Sequence, residues 1–149
     1  MALVTALTAV LLMLAIGASA ALNMMAETTI ASYHRNALQA LYAAEAGIDL
    51  AVSRVRPLAD WRTAVPDARG TTVVQGSLGD LLQRTGVDPR LNVTAWVFPD
   101  PNADPDVLIV EAVASGSGVR RGVQVTIRRA PAAPGATMRN IKTISWRER

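Results

Sequence analysis

From Met1 to Ala26 the chain reads MALVTALTAVLLMLAIGASAALNMMA, a stretch with no charged residue, no proline and no aromatic ring. An apolar pattern without a polar face predicts a helix covered on every side, by lipid or by other helices. At ~1.5 Å per residue it is about 39 Å long, enough to cross a hydrocarbon core of roughly 30 Å. No proline intervenes before Pro57, and Ala, Leu, Glu, Gln and Arg are frequent in the interval. One helix is therefore expected to continue to about Val55. Beyond Glu27, the residues Ile30, Leu38, Leu41, Ile48, Val52 and Val55 recur at three- and four-residue spacing, with Arg35, Asn36, Gln39, Asp49, Ser53 and Arg54 mostly off that stripe. This half reads as amphipathic, docking a head through Leu38, Leu41, Ile48, Val52 and Val55. Gly17 and Ser19 lie mid-helix just before Asn23 and mark the place where the helix loosens most readily.

After Pro57 the period changes. The segment to Gly70 is rich in turn residues and reads as a connecting loop, with a short helix allowed and Trp61 as an anchor. A short strand at Thr72 to Gln75 precedes Ser77-Leu78-Gly79-Asp80, where Ser77 caps a short helix to about Thr85, stopped by Gly86. Leu91 to Phe98 alternates, as do Val107 to Ala114 and the set Val123, Val125 and Ile127; Ser115-Gly116-Ser117-Gly118 signals a hairpin turn between the last two. A breaker run from Ala130 to Gly135 leads to a strand-like segment from Met138 to Trp146. The pattern predicts an α+β architecture, a long N-terminal helix packed on a small antiparallel sheet of about four strands. Residues 1–56 form the helix, apolar over 1–26 and amphipathic over 27–56, and 57–149 form the head.

Composition narrows the chemistry. The 149 residues include no cysteine and one histidine, His34, so no disulfide, thiolate metal site or histidine-based catalytic set is available and an enzyme is not expected. No cofactor is implied. The net charge of +3 is uneven: acids outnumber bases two to one from Asp60 to Glu111, whereas Arg120, Arg121, Arg128, Arg129, Arg139, Lys142, Arg147 and Arg149 face only Glu148. Opposite patches on one molecule favour head-to-tail association between copies, with Arg35, Glu45, Arg128 and Arg129 as candidate partners. Glu45 in its Ala-rich turn is either a subunit contact or a solvent-facing residue. Nucleic-acid binding by the basic C-terminal strands is an alternative, although no set of aromatics interleaves with them in sequence. Asp100, Asn102, Asp104, Asp106 and Glu111 stand at positions one, three, five, seven and twelve of a calcium-loop pattern. Pro105 occupies the sixth position, where the sharp turn uses glycine, and Glu111 falls in a strand. A solvated Pro/Asp connector is the stronger reading there.

Four motifs in order carry a resemblance. Ala2-Leu3-Val4-Thr5-Ala6-Leu7 opens the apolar helix, Ala43-Ala44-Glu45-Ala46-Gly47 lies in mid-helix, Gly116-Ser117-Gly118 joins two alternating strands, and Ile144-Ser145-Trp146-Arg147-Glu148 closes the chain. Together they resemble the type IV pilin superfamily, and within it the PilX-like pilus assembly proteins. The resemblance implies a filament subunit with other pilins, the assembly machinery and, before assembly, the inner membrane as partners, and an extracellular pilus as its destination. Met1 would be the processed and N-methylated residue, and Leu3, Val4, Thr5, Leu7, Leu11, Leu12, Leu14 and Ile16 would line the filament core. A secretory signal peptide fits less well, because no basic residue precedes the apolar run and the helical pattern continues past Ala26. The expectation is that a basic leader has been removed before Met1. One departure stands out: most major pilins carry a glutamate at the fifth position, paired with a neighbour's terminal amine, and here it is Thr5. This favours a minor or divergent subunit, such as a pseudopilin that primes assembly or sits at a tip.

Overall fold

The computed structural model of the chain describes residues 1–58, 60–61, 65, 69–82, 90–102, 104–130 and 141–149. A single helix, α1 (Ala2–Val55), is followed by β1 (Thr71–Ser77), a short α2 (Leu78–Leu82), β2 (Asn92–Pro99), β3 (Val107–Gly116), β4 (Val119–Arg129) and β5 (Ile141–Glu148). The helix ends where expected: Arg56 N–H still donates to Val52 O at 2.9 Å, and Pro57, without an N–H, cannot continue the ladder. The expected helix end at Thr85 and Gly86, the start of the last strand at Met138, and a short helix in the loop after Pro57 lie outside the described residues.

All pairings are antiparallel and neighbouring in sequence, in the order β1-β2-β3-β4-β5. The sheet has five strands, not about four. The turn between β3 and β4 contains Ser117 at φ 51° and Gly118 at φ 76°. Two successive positive φ values match the right-handed twist of the flanking strands, which is why a Ser-Gly pair works there. Alternation sets the inner face of the sheet. Val93, Ala95 and Val97 on β2, Leu108, Val110, Ala112 and Ala114 on β3, and Val123, Val125 and Ile127 on β4 are buried. Register aligns them into cross-strand rows, Ala95–Ala112–Val123 and Val97–Val110–Val125.

Two compact units divide the chain at Arg35/Asn36, inside α1 rather than at its end. From Asn36 on, the helix belongs with the sheet because of which residues it buries: Ala40, Ala43, Ala44, Gly47, Ile48, Ala51 and Val55. The docking stripe is therefore mostly small. Leu38, expected on it, is 41% exposed, Ile30 is 69% exposed, and Leu41 and Val52 pack only at its flank. The reason is steric. The centre of the sheet side is already filled by valines, so residues with little or no side chain let the helix backbone settle there, with Ile48 and Val55 buried beside them. At Gly47 an added Cβ would lie 2.5 Å from Val93 Cγ1 and 3.2 Å from Ala112 Cβ. Arg54 also donates from Nη1 to Val73 O, joining the last turns of α1 to β1.

Gly47→Ala is expected to lower stability by up to about 2 kcal/mol, the net of roughly 1–3 kcal/mol of overpacking and about 1 kcal/mol of improved helix propensity. Gly17→Ala, with nothing within 4 Å of the new methyl, is expected to leave the unfolding midpoint of the sheet-bearing unit unchanged. Denaturant unfolding of the full chain in detergent, followed by tryptophan fluorescence, compares the two.

Candidate functional site

Met1–Arg35 forms a unit of helix alone, and every residue in it is exposed. Its most apolar window has a mean hydropathy of 2.2 and none of it is buried. Leu3, Val4, Leu7, Leu11, Leu12, Leu14 and Ile16 are each at least 58% exposed, as lipid-facing or partner-facing positions require. The helix is long and apolar enough to cross a membrane.

Its few polar side chains are arranged to suit such surroundings. Thr5 Oγ1 donates to Ala2 O at 2.9 Å, Thr8 Oγ1 to Thr5 O at 2.9 Å and Ser19 Oγ to Ile16 O at 2.9 Å. Thr28, Thr29 and Ser32 likewise donate back to carbonyls of the preceding turn. Each hydroxyl hydrogen is thus satisfied within the helix, which lets these residues sit in an apolar medium without an orphan donor. Gly17 and Ser19, where loosening was expected, lie within unbroken helix.

In Asn36–Arg149 the charged candidates separate by environment. Arg129 is 7% exposed; its guanidinium lies 4.3 Å from the Trp61 ring centroid and Nη2 donates to Leu58 O at 3.1 Å. It is a core residue, not part of an open basic surface. The alternation of β4 puts Val123, Val125 and Ile127 inward, and position 129 falls in the same phase. Trp61 supplies a π face there and Leu58 a carbonyl, so the charge is buried with partners. Arg128, one residue earlier, points outward and pairs with Asp104 at 3.2 Å. Glu45 is half-buried, and Arg35 and His34 are exposed on α1.

The calcium pattern dissolves into turn chemistry. Asp100 Oδ2 accepts from Asp104 N–H at 3.3 Å, Asp104 Oδ1 accepts from Asp106 N–H at 3.0 Å, and Asp104 Oδ2 takes Arg128. Glu111 Oε2 accepts from Arg149 Nη1 at 3.1 Å. These are the hydrogen bonds by which Asp residues fix turns, and among the described residues no group of three or more His, Cys, Asp or Glu could hold a metal.

Comparison with models of protein families, with curated proteins and with solved structures finds no match to this chain. The geometry therefore stands alone: an exposed apolar helical unit, and a sheet-bearing unit whose basic residues are partly consumed inside it.

Two adjacent arginines are expected to behave differently. Arg129→Ala removes a buried charged hydrogen bond and a cation–π contact and is expected to destabilise by about 2–3 kcal/mol. Arg128→Ala breaks an exposed ion pair and is expected to change stability by less than about 1 kcal/mol. Thermal melts of the two variants check this. Adding calcium is expected to leave the melting temperature unchanged.

Proposed function

We propose that this chain is a structural subunit of an extracellular type IV pilus-like filament, polymerising through the apolar N-terminal part of α1. The observation that carries the reading is that Met1–Arg35 is apolar over most of its length, exposed throughout, and a unit separate from the sheet. Such a surface calls for an external partner, and its composition suits helices as well as lipid. Ala2, Ala6, Ala9, Ala15, Gly17, Ala18, Ser19, Ala20 and Ala21 are small, and small residues let helix backbones approach closely where lipid-facing packing has no need of them. The motif resemblance to type IV pilins points the same way. Before assembly the helix sits in the membrane; on assembly, lipid contacts are exchanged for helix contacts with little change in apolar exposure.

A second reading follows from the resemblance, in which Met1 is the processed terminus: Thr5, in place of a glutamate, favours a low-copy member of such a filament. A terminal ammonium in an apolar bundle without a carboxylate partner is costly, and Thr5, whose hydroxyl donates to Ala2 O, offers it neutral oxygen lone pairs in place of a negative charge. A subunit that primes assembly or caps the tip meets that cost once or a few times rather than at every repeat.

Leu12→Arg is expected to abolish incorporation into filaments recovered by shearing from the producing cells; undiminished incorporation would overturn the reading. Ala18→Leu, which raises hydropathy and so retains membrane insertion, is expected to reduce incorporation as well, because it blocks close helix packing. Mass spectrometry of the incorporated chain is expected to find Met1 N-methylated, and copy number relative to other subunits separates the major from the minor role.

A further inference from the structure

The sheet is wider than the helix that covers it, and the difference leaves a groove. A cleft of about 360 Å³ is lined by Ile48, Val52, Val125, Ile127 and Ile141 in its apolar part and by Trp146 beside Glu45 and Asp49. Trp146 pairs across the ladder with Val125, so its ring stands on the helix side of the sheet, where it remains 52% exposed. Glu45 and Asp49 are one helical turn apart on the flank of α1. Neither carboxylate has an ion-pair or hydrogen-bond partner among the described residues. Like charges at this spacing disfavour a helix slightly, and here they face an indole across an apolar floor. Arg56 lies further along the same rim, leaving the groove one negative charge in excess. An indole flanked by carboxylates above apolar surface suits a guanidinium, whose flat face stacks, whose edge donates, and whose methylene stem covers the floor.

The chain itself carries a cation shaped for this groove and unable to reach its own. Arg120 immediately follows the tight turn between β3 and β4, pairs with Ser115 in the ladder, is exposed, and has no partner among the described residues. Its ladder phase is opposite to that of Arg121, which pairs with buried Ala114. Arg120 therefore stands on the face of the sheet turned away from α1, with the sheet between it and the groove. A complementary pair that cannot close within one molecule closes between two.

We propose that the groove between α1 and β5 receives the β3–β4 turn of a second copy, with Arg120 of one copy seated between Trp146 and the Glu45 and Asp49 carboxylates of the next. The contact joins two different surfaces, so each copy offers a free groove and a free turn, and the arrangement extends as an open chain rather than closing as a two-fold dimer. It rests on the first reading above, a subunit repeated along the filament, for the supply of neighbours and adds to it a contact between sheet-bearing units, independent of helix bundling.

The absence of native cysteine makes the test direct. The full chain carrying Asp49→Cys together with Arg120→Cys is oxidised in sheared filaments and, separately, at high concentration in detergent. A ladder of disulfide-linked oligomers is expected, stronger by roughly tenfold than that from Asp106→Cys with Arg120→Cys, whose first position lies in the connector before β3. In the same detergent samples, Asp49→Arg and Arg120→Asp are each expected to weaken self-association about tenfold, and the two together in one chain to restore it, as interfacial charge pairs do. Filaments that form while the ladder is no stronger than the control overturn the groove contact and leave the filament reading standing. If filaments are absent altogether, the filament reading fails and the detergent measurement still decides the contact: restoration by the double swap supports it, and its absence overturns it. Association that depends on Asp49 but is indifferent to Arg120 assigns the groove to another cation and also overturns the proposal.

Discussion

Everything in the sheet-bearing unit depends on how closely the last turns of α1 approach β2 and β3. Gly47 sits where a single added carbon would overlap Val93, and Ala40, Ala43, Ala44 and Ala51 complete a seat with almost no side-chain volume. Packing a helix this close brings its backbone into dispersion contact with the valines of the sheet, a large collective term made of small ones. The same choice sends the bulky residues elsewhere. Leu38 and Tyr42 are displaced to the exposed flank, and with the helix seated over the middle strands, β5 extends beyond its cover. The groove beside Trp146 is thus a consequence of the seat.

The first unit obeys a different rule. In Met1–Arg35 nothing is buried, so its residues answer to the medium rather than to a core. Leucines tolerate lipid and helix neighbours alike; alanines and Gly17 distinguish them, since they matter only where another backbone comes near. Hydroxyls are neutral to the choice because Thr5, Thr8 and Ser19 bond to their own helix.

Much of this was legible in the residues and some was not, for physical reasons. The end of α1 follows from Pro57, and the inner faces of β2, β3 and β4 from the two-residue period of Val, Ala and Ile, even though Trp96, Phe98, Ile109 and Val113 occupy outward positions. The docking stripe was legible only in part, in Ile48 and Val55, because alanine carries no hydrophobic signal in a chain this rich in it: Leu38 attracted attention by size, while Gly47, the decisive residue, stood out only as part of a motif. The aspartates from Asp100 to Asp106 share the spacing of a calcium loop, but spacing does not say whether a carboxylate faces an ion or the amide two residues on, and Asp104 faces both Asp106 N–H and Arg128. Arg129 was partly foreseeable. Counting by two from Val123 places it inward, yet its Trp61 partner is far away in sequence and no local pattern announces it.

That last residue changes how the charge of the chain is to be read. Of the basic residues in the C-terminal strands, Arg129 is buried against Trp61, Arg128 is held by Asp104 and Arg149 by Glu111, and Arg121 lies 4.0 Å from Glu148. Their long-range fields are largely cancelled by partners a few ångströms away, so the formal excess overstates what a distant polyanion would feel. Among the described residues of the sheet-bearing unit the exposed charge left over is mixed in sign, including Arg56, Arg120, Lys142 and Arg147 against Glu45, Asp49 and Asp80. A molecule with dense unpaired charge of one sign attracts anything of the other sign. One whose unpaired charges are mixed in sign and interspersed presents no such field.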